Sequence, residues 1–357
     1  MNFNEQYKDR LDRYEQFWNR ANTDRPVLNL VGPKQGATSF PKAESLEQRW
    51  LDGEYVLNRF RHYRENTDFV GDAVPMLFTD FGPGCLSACI GGNYDLGPNT
   101  IWLDRRPIIE DWEDLPNIEF NENSEMWQNI LRTQNKFLTD PSVHFSVTDI
   151  GGILDIIASL RGTQELLYDV YDYPDEIKEL SKRITQIWKK VFDQQIETVK
   201  KSGLPYNTWM EIPSAKPWYP LQCDFSYMLS PDHFREFVLD DLTELAQYVE
   251  RPIYHLDGVG ELPHLDMILE IPGLMGIQWA PGAGEAPEWD EKWFPIYRKI
   301  QDKNKLLILR RGLLDADEAG AEKLIKTVDP AGLYISTRFK SGDDAKRMYE
   351  NILKWSK

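Results

Sequence analysis

Short apolar runs alternate with longer amphipathic stretches along much of this chain. The runs "PIYHL", "GLMGIQWA", "KLLILRRG" and "GLYISTRF" are each followed by about ten or more residues with helical periodicity. Helices are predicted at residues 261–270, 288–302, 316–327 and 342–355. Short buried strands that each precede a helix indicate successive βα units of a parallel sheet.

The first half of the chain supplies the remaining units of this pattern. The predicted strands are "VLNLVG", the region Phe69–Asp80, "VHFSVTD" and "YNTWMEI", and residues 43–65 and 125–138 are predicted helices. About eight βα units fit the length of one TIM barrel. We therefore expect an α/β fold, a single (β/α)8 barrel domain over residues 1–357, with an N-terminal helical extension and an irregular Gly/Pro-rich insertion. A doubly wound open sheet is the competing interpretation, although no Gly-x-Gly-x-x-Gly motif opens a helix.

The net charge and the number of cysteines limit the kinds of molecule that this protein is expected to bind. The formal net charge of −17 argues against nucleic acid and anionic membranes, which both reward basic patches. It also disfavours a strongly anionic substrate, unless arginines are concentrated locally. The three cysteines are too few for a disulfide framework, and the polar amphipathic start does not resemble a signal peptide. We expect a cytoplasmic protein that acts on a small molecule.

The candidate chemistry lies where the predicted strands end, because barrel enzymes place their active sites at the C-terminal ends of the strands. "YHLDG" brings a histidine and an aspartate to this rim, and carboxylates beside an imidazole suit general acid–base catalysis. The predicted catalytic residues are His255, Asp257, Asp224 and Glu211. The predicted substrate-binding residues are Asp149, Trp209, Trp218, Tyr227, Gln278, Trp279 and Arg338.

Each of these residues also has a purely structural interpretation. Asp149 and Asp257 suit helix N-caps at βα junctions, and the tryptophans suit packing. His255 suits a hydrogen-bonded core position, and Cys223 suits a buried, inert thiol. The joint placement of the residues, rather than any one of them, favours a site. His144 begins a predicted strand, at the opposite end of the barrel, where residues serve stability.

Several long segments of the chain resemble one known family. They are "LRGTQELLYDVYDYPDEIKEL", "LSPDHFREFVLDDLTELA", "IYHLDGVGELPHLDMILEIPGLMGIQWAPGAG" and "DAVPMLFTDFGPGCLSACIGGNYDLGPNTIW". They are similar to the uroporphyrinogen decarboxylase superfamily, on the branch near the corrinoid-linked methyltransferases. The resemblance covers most of the chain from about Phe69 onward. It implies a (β/α)8 barrel with a deep pocket at the strand C-termini and an enzyme of one-carbon metabolism.

The resemblance also implies a zinc site. Methyltransferases of that branch bind zinc through a His-x-Cys pair and a later cysteine, whereas this chain has His255-Leu256-Asp257 and no cysteine in "ISTRFKS". The zinc ligands expected here are therefore His255, Asp257 and Cys223, since imidazole, carboxylate and thiolate all bind zinc. Oxygen in place of sulfur favours Lewis-acid chemistry or water activation over a thiolate that carries a methyl group.

The function that the resemblance implies is methyl transfer between a small substrate and a corrinoid. The chain lacks the Asp-x-His-x-x-Gly cobalamin signature, so a separate protein would carry the corrinoid. True uroporphyrinogen decarboxylase activity is not expected, because "RPVLNLVGPKQG" ends without the arginine pair that would bind the substrate's carboxylates. The alternatives are a carboxylate- or metal-dependent hydrolase or lyase acting on a small or sugar-like substrate, and a barrel that binds without catalysis.

Overall fold

A seven-stranded, mostly parallel sheet forms the centre of the structure, a computed structural model that describes residues 3–356. The strands are β1 (Val27–Pro33), β2 (Thr67–Gly71), β3 (Asp95–Leu96), β4 (Ile101–Trp102), β5 (Trp218–Leu221), β6 (Arg251–Asp257), β7 (Gly276–Ala280), β8 (Leu306–Leu309) and β9 (Leu333–Arg338). The central sheet has the order β2-β1-β9-β8-β7-β6-β5, and β3 pairs with β4 in a separate hairpin. Only the β1–β2 pair of the central sheet is antiparallel.

Helices connect the strands and cover the sheet. Those of the first half are α1 (Phe3–Gln6), α2 (Lys8–Trp18), α3 (Leu46–Leu51), α4 (Gly53–Asn66), α5 (Leu86–Cys89), α6 (Glu125–Phe137), α7 (Ile153–Arg161), α8 (Thr163–Asp172) and α9 (Pro174–Lys200). Those of the second half are α10 (Pro231–Phe237), α11 (Leu239–Tyr248), α12 (Leu265–Leu269), α13 (Phe294–Asp302), α14 (Glu318–Thr327) and α15 (Gly342–Trp355). Short 3-10 helices span Asp224–Met228, Val259–His264 and Glu291–Trp293. The four βα units predicted from Arg251 onward are confirmed.

The two faces of the sheet differ because successive side chains of a strand point to opposite sides. On one face, buried residues such as Leu28, Leu256, Ile277 and Leu309 belong to the main hydrophobic core. On the other, inner face, Val27, Ile253, Ile308 and Tyr334 form a second core with Phe17 and Trp18 of α2. The predicted N-terminal helical extension thus fills the N-terminal end of the inner face with apolar side chains.

The prediction of a strand at "YNTWMEI" is wrong. Tyr206 and Ser214 form an isolated antiparallel bridge across a turn, and the regular strand is β5, within the segment expected to be a loop. Both segments contain aromatic and aliphatic residues without a clear alternation, so periodicity alone could not choose between them. The correction moves Trp218 from a rim loop to the first position of a strand.

Among residues 3–356, regular strands do not close the central sheet into a barrel. Irregular segments that lie in sequence between the two edge strands add further backbone hydrogen bonds. Leu77 and Phe145 form a parallel bridge, in which the Leu77 amide donates to the His144 carbonyl at 2.8 Å. The Val147 amide donates to the Asn207 carbonyl at 3.1 Å. The prediction of a regular strand at "VHFSVTD" is therefore wrong, and this segment contributes one bridge and several backbone hydrogen bonds instead.

Within the described part of the chain, no helix combines the length and the apolar character needed to cross a membrane.

Candidate active site

A cavity of about 540 Å³ opens at the C-terminal end of the inner face. The parallel pairing aligns His255 with Gln278 and Asn29 with Ser336, and all four line the cavity. Each lies two residues beyond an apolar residue or a glycine of the same face, so one strand carries both kinds of surface. The carboxyl ends of parallel strands therefore bring polar side chains together here, as in other α/β proteins.

The cavity rim carries a cluster of three potential metal ligands: Asp224, His255 and Asp257. One ligand atom from each lies within 4.8 Å of the others, and the His255 Nε2 to Asp257 Oδ2 distance is 3.9 Å. Asp224 comes from the 3-10 helix after β5 and is open to solvent on one side, whereas β6 supplies the other two. The protein around Asp224 raises its pKa through desolvation, and His255 opposes this shift while Asp257 adds to it.

Gln278 fixes the chemical state of His255. The Gln278 Nε2 donates to the Trp279 carbonyl at 2.9 Å, which leaves its Oε1 facing His255 Nδ1. Because an amide oxygen only accepts, the Nδ1 of His255 must carry the hydrogen of this bond. In the neutral ring, Nε2 then carries the lone pair that can bind a metal ion. Nε2 is also the nitrogen that faces Asp257. Such a partner on the other ring nitrogen is usual for a metal-binding histidine.

Aromatic and guanidinium groups form the neighbouring wall of the cavity. The ring of Trp209 meets the His255 ring edge-on with 5.0 Å between centroids, and the Arg310 guanidinium lies 4.8 Å above Trp209. The Nε of Arg310 and the Nε1 of Trp209 are buried and have no hydrogen-bond partner. Arg311 and Arg338 also line the cavity, so arginines are concentrated locally in this acidic protein.

Glu211 lies in the cavity but is held by other residues. Its carboxylate accepts from Arg338 at 3.0 Å and from Asn29 Nδ2 at 3.1 Å. Its φ of 61° is in the left-handed region, which a non-glycine residue adopts at a cost of about 1–3 kcal/mol. Arg338 also donates to the Tyr63 hydroxyl at 2.9 Å. The ion pair orients both charged groups along the cavity wall, apart from the three-residue cluster.

Asp149 is buried and fully engaged. Its Oδ1 accepts from the Tyr219 hydroxyl at 3.1 Å and from the Gly151 amide at 3.0 Å, and the same hydroxyl accepts from the Ile150 amide at 2.6 Å. Burial raises the pKa of Asp149 to about 7; the Tyr219 hydrogen bond opposes this shift, and the charge of Asp224 adds to it. The residue ties the turn before α7 to β5, and it does not line the cavity.

The structure places several predicted site residues away from the cavity. Trp218 is fully buried and packs edge-on against Trp18 at 5.2 Å, in the second core. Trp279 points to the opposite face from Gln278 and packs against Trp293 at 5.1 Å. Cys223 is buried beside the cluster without belonging to it, and burial raises the pKa of its thiol well above the usual value.

Tyr227 lies beside the site loop rather than in the cavity. A Cβ added to Gly258 or Gly260 would come within 2.8 or 2.7 Å of its ring. The two glycines of "YHLDGVG" therefore leave space for this tyrosine, and Gly258 also needs its φ of 91°.

Several residues that line the cavity were not among the predicted site residues, and Asn29 and Glu288 are two of them. Asn29 lines the cavity from β1. Its Nδ2 donates to Glu211 and to the Tyr334 hydroxyl, the latter at 2.9 Å. Glu288 is buried in the loop after β7, accepts from the Arg311 amide at 3.0 Å, and has its pKa raised to about 8 by burial. The strand position of Asn29, two residues after a buried valine, was a usable signal. Nothing in the local sequence marks Glu288.

Comparisons with known proteins bear on the fold. No protein-family model and no curated protein matches the chain. A solved structure described as a methyltransferase from Methanosarcina mazei has a similar fold, with a TM-score of 0.58 over 95% of this chain and 98% of that chain. The two sequences are 12% identical, so the likeness shows the fold alone.

Proposed function

We propose that this protein is a metal-dependent enzyme that transfers a group, with a methyl group as the first candidate, to or from a small substrate. The observation that carries the proposal is the Asp224–His255–Asp257 cluster at the open end of the inner face. Its residues come from two elements that the fold brings together. The nearby cavity has the size and the mixed apolar and polar lining of a small-molecule site.

The cluster fits a divalent cation. An imidazole and two carboxylates are ligands that zinc and other first-row divalent ions accept. Atoms bound to one zinc ion at about 2 Å lie within about 4 Å of one another, so the observed spread of 4.8 Å requires only a small closure. When bound here, the cation would supply Lewis-acid chemistry to a substrate in the cavity. Cys223 is buried and does not belong to the cluster, so in this proposal Asp224 is the third ligand instead of Cys223.

The remaining cavity residues bind and orient the substrate in this proposal. The unpartnered Arg310 Nε offers a hydrogen bond to an acceptor or anionic group, and Trp209 presents an apolar ring beside it. Gln278 holds the His255 ring, while Glu211 and Arg338 stiffen the opposite wall. The substrate would thus lie between a guanidinium at one end and the cluster at the other.

The choice of methyl transfer rests on the resemblance of the sequence to the corrinoid-linked branch of the uroporphyrinogen decarboxylase superfamily. The likeness in fold to a protein named as a methyltransferase agrees with it. A corrinoid would be carried by a separate protein, since the chain has no cobalamin-binding signature. In this proposal the enzyme is one of one-carbon metabolism.

The test is an optical assay of the full chain loaded with zinc. Methylcob(III)alamin is incubated with a panel of small nucleophiles, and cob(I)alamin with a panel of methyl donors. We expect a spectral change of the corrinoid that His255→Ala abolishes. If the corrinoid spectrum does not change with either panel, in protein shown to contain metal, the proposal of methyl transfer is contradicted.

A hydrolase or lyase is the second candidate, and the oxygen-rich ligand set favours it. Two carboxylates and one imidazole suit the activation of water better than the binding of a soft thiolate. This candidate predicts that the metal-loaded protein consumes ester, amide or sugar-like substrates without any corrinoid. Turnover that persists in both Asp224→Asn and Asp257→Asn would remove it.

The complete fold that we propose is a (β/α)8 barrel. The segments around Leu77 and Phe145 are hydrogen-bonded to each other and lie in sequence between β2 and β5, the two edge strands of the sheet. They supply the missing barrel strands in this proposal. An experimental structure in which β2 and β5 remain open edges would contradict it.

A further inference from the structure

The cavity at the C-terminal end of the inner face contains two neighbouring arginines without ion pairs. Arg310 follows β8 directly, Arg311 comes next, and both line this cavity. Among residues 3–356, neither guanidinium has a carboxylate within ion-pair distance or a hydrogen bond to a protein group. The cavity is therefore locally basic, in a chain whose formal net charge is −17.

The acidic residues of the cavity do not offset these two charges. Glu211 is already paired with Arg338 at 3.0 Å, and Asp257 belongs to the metal-ligand cluster. Burial raises the pKa of Glu288 to about 8, although the nearby backbone amide and both free guanidiniums lower it. The carboxyl group of Glu288 is thus mainly neutral at pH 7, and two positive charges remain uncompensated.

The guanidinium of Arg310 is free to bind an acceptor. It is half-buried and lies 4.8 Å above the Trp209 ring, and its Nε is sealed inside the protein. Its two terminal amino groups are not sealed, and they have no partner in the described part of the chain. A guanidinium over an aromatic face still donates from these amino groups, whose fork matches the two oxygens of a carboxylate.

The position of Trp209 brings this guanidinium near the metal-ligand cluster. The indole that lies under Arg310 also meets the His255 ring edge-on, with 5.0 Å between centroids. The other apolar residues of the lining are Val31, Ala280 and Leu314. A ligand held at Arg310 would therefore have an apolar surface beside it and the cluster within reach.

The remaining charges of the lining favour a ligand with one negative charge. Asp257 lines the same cavity, and Glu211 keeps its carboxylate there in the pair with Arg338. Both carboxylates would repel the second charge of a phosphate-like dianion. A planar carboxylate also fits the flat fork of a guanidinium. The lining thus favours a carboxylate over a phosphate group.

We propose that this cavity binds an organic acid with one carboxylate, which Arg310 holds while the exposed Arg311 adds positive charge. The apolar part of the acid lies against Trp209. This binding requires no metal ion. The role of the acid as the substrate rests on the group transfer proposed above.

The test is calorimetric titration of the full chain at pH 7, after a chelator has removed any metal ion that could itself bind a carboxylate. The probes are benzoate and phenylacetate, each compared with its neutral amide. We expect the acids to bind about tenfold more tightly than their amides. Equal affinities within both pairs, or no binding of either acid, would overturn the proposal.

Variants of one residue locate the binding. Arg310→Gln should weaken benzoate by about tenfold or more, because both the charge and the fork are lost. Arg298→Gln removes the same charge from an exposed position of α13 and should leave benzoate unaffected. Arg310→Lys keeps the charge without the fork and should give an intermediate affinity. Equal affinities of folded Arg310→Gln and Arg298→Gln would place the acid elsewhere and refute the assignment.

Phenyl phosphate tests the class of anion. This dianion of similar size should bind no more tightly than benzoate, because Asp257 and Glu211 line the cavity. Tighter binding of phenyl phosphate would contradict the assignment to a single carboxylate.

The metal-free titration also separates this inference from the proposed function. Benzoate binding by the chelator-treated protein supports the acid site, even where metal-dependent turnover is absent. Benzoate binding that appears only after zinc is restored contradicts the inference, because the ion rather than Arg310 would then hold the carboxylate.

Discussion

The two ends of the inner face show how one set of strands serves both stability and chemistry. At the N-terminal end, Val27, Ile253 and Tyr334 pack against α2 in a closed apolar core. Two residues further along the same strands stand Asn29, His255 and Ser336, which line an open cavity. Buried polar atoms without partners occur at both ends, among them Tyr14 Oη at the closed end and Arg310 Nε at the open end. The open cavity and its charged lining therefore mark the candidate site.

The largest effect should come from the closed end. Phe17→Ala removes a fully buried ring 6.0 Å from Tyr334 and should lower the free energy of unfolding by about 3–5 kcal/mol. Tyr171→Ala, at a 72% exposed aromatic residue, should cost less than about 0.5 kcal/mol. Urea denaturation measures both. Zinc affinity should be equal in the folded forms of both variants, and a large loss in Phe17→Ala alone would mean that the two ends are not independent.

A single change at the open end should weaken metal binding with little effect on stability. Asp257→Asn replaces a charged ligand by a neutral one and should lower zinc affinity by about 100-fold or more, about 2.7 kcal/mol. Competition with a chromophoric chelator gives the dissociation constants. Asp302→Asn, an exposed change at the end of α13, serves as the matched control. Equal affinities in the two variants would remove Asp257 from the ligand set.

The next effect concerns the partner of His255. Gln278→Leu should lower zinc affinity by about 10–100-fold, because the ring loses the acceptor that holds Nδ1–H. Gln278→Glu retains the acceptor for Nδ1–H but loses the donation to the Trp279 carbonyl, so it should keep more zinc affinity than Gln278→Leu. An equal loss in both variants, or no loss in either, would show that the orientation of His255 does not depend on this hydrogen bond.

The smallest effect is a pH dependence at the closed end. Burial lowers the pKa of His144 to about 4, and its Nε2 lies 2.9 Å from the Pro205 carbonyl. The unfolded chain binds a proton near pH 6.5 while the folded chain does not, so stability is present above that pH and falls as pH decreases toward 4. Between pH 7 and pH 5, the decrease in the free energy of unfolding should be about 1–2 kcal/mol smaller in His144→Gln than in the unmodified protein. Urea denaturation at the two pH values measures it. An unchanged loss would contradict a buried neutral histidine.

The second half of the fold could be predicted because each of its βα units carries a local signal. The helix predicted at residues 342–355 is α15, Gly342–Trp355, with Ser341 accepting from Asp344 as its N-cap. The segment around Trp209 was predicted as a strand and forms none, since Glu211 adopts a left-handed conformation that is incompatible with a regular strand. Apolar alternation does not reveal such a backbone.

Only part of the candidate site could be predicted for similar reasons. His255 and Asp257 alternate on one strand, so their common side follows from the strand period. Asp224 approaches them from a 3-10 helix after a strand that was assigned one segment too early. Its place beside His255 depends on a long-range contact that no local pattern contains. Trp218 and Trp279 were expected in the cavity, and the structure places them on buried faces.

The most direct test of the central claim is elemental analysis of the full chain purified without added metal. We expect about one divalent ion per chain in the unmodified protein and almost none in His255→Ala, with both proteins folded by circular dichroism. Unmodified protein without metal even after zinc reconstitution, or a His255→Ala variant that retains a full equivalent, would contradict it.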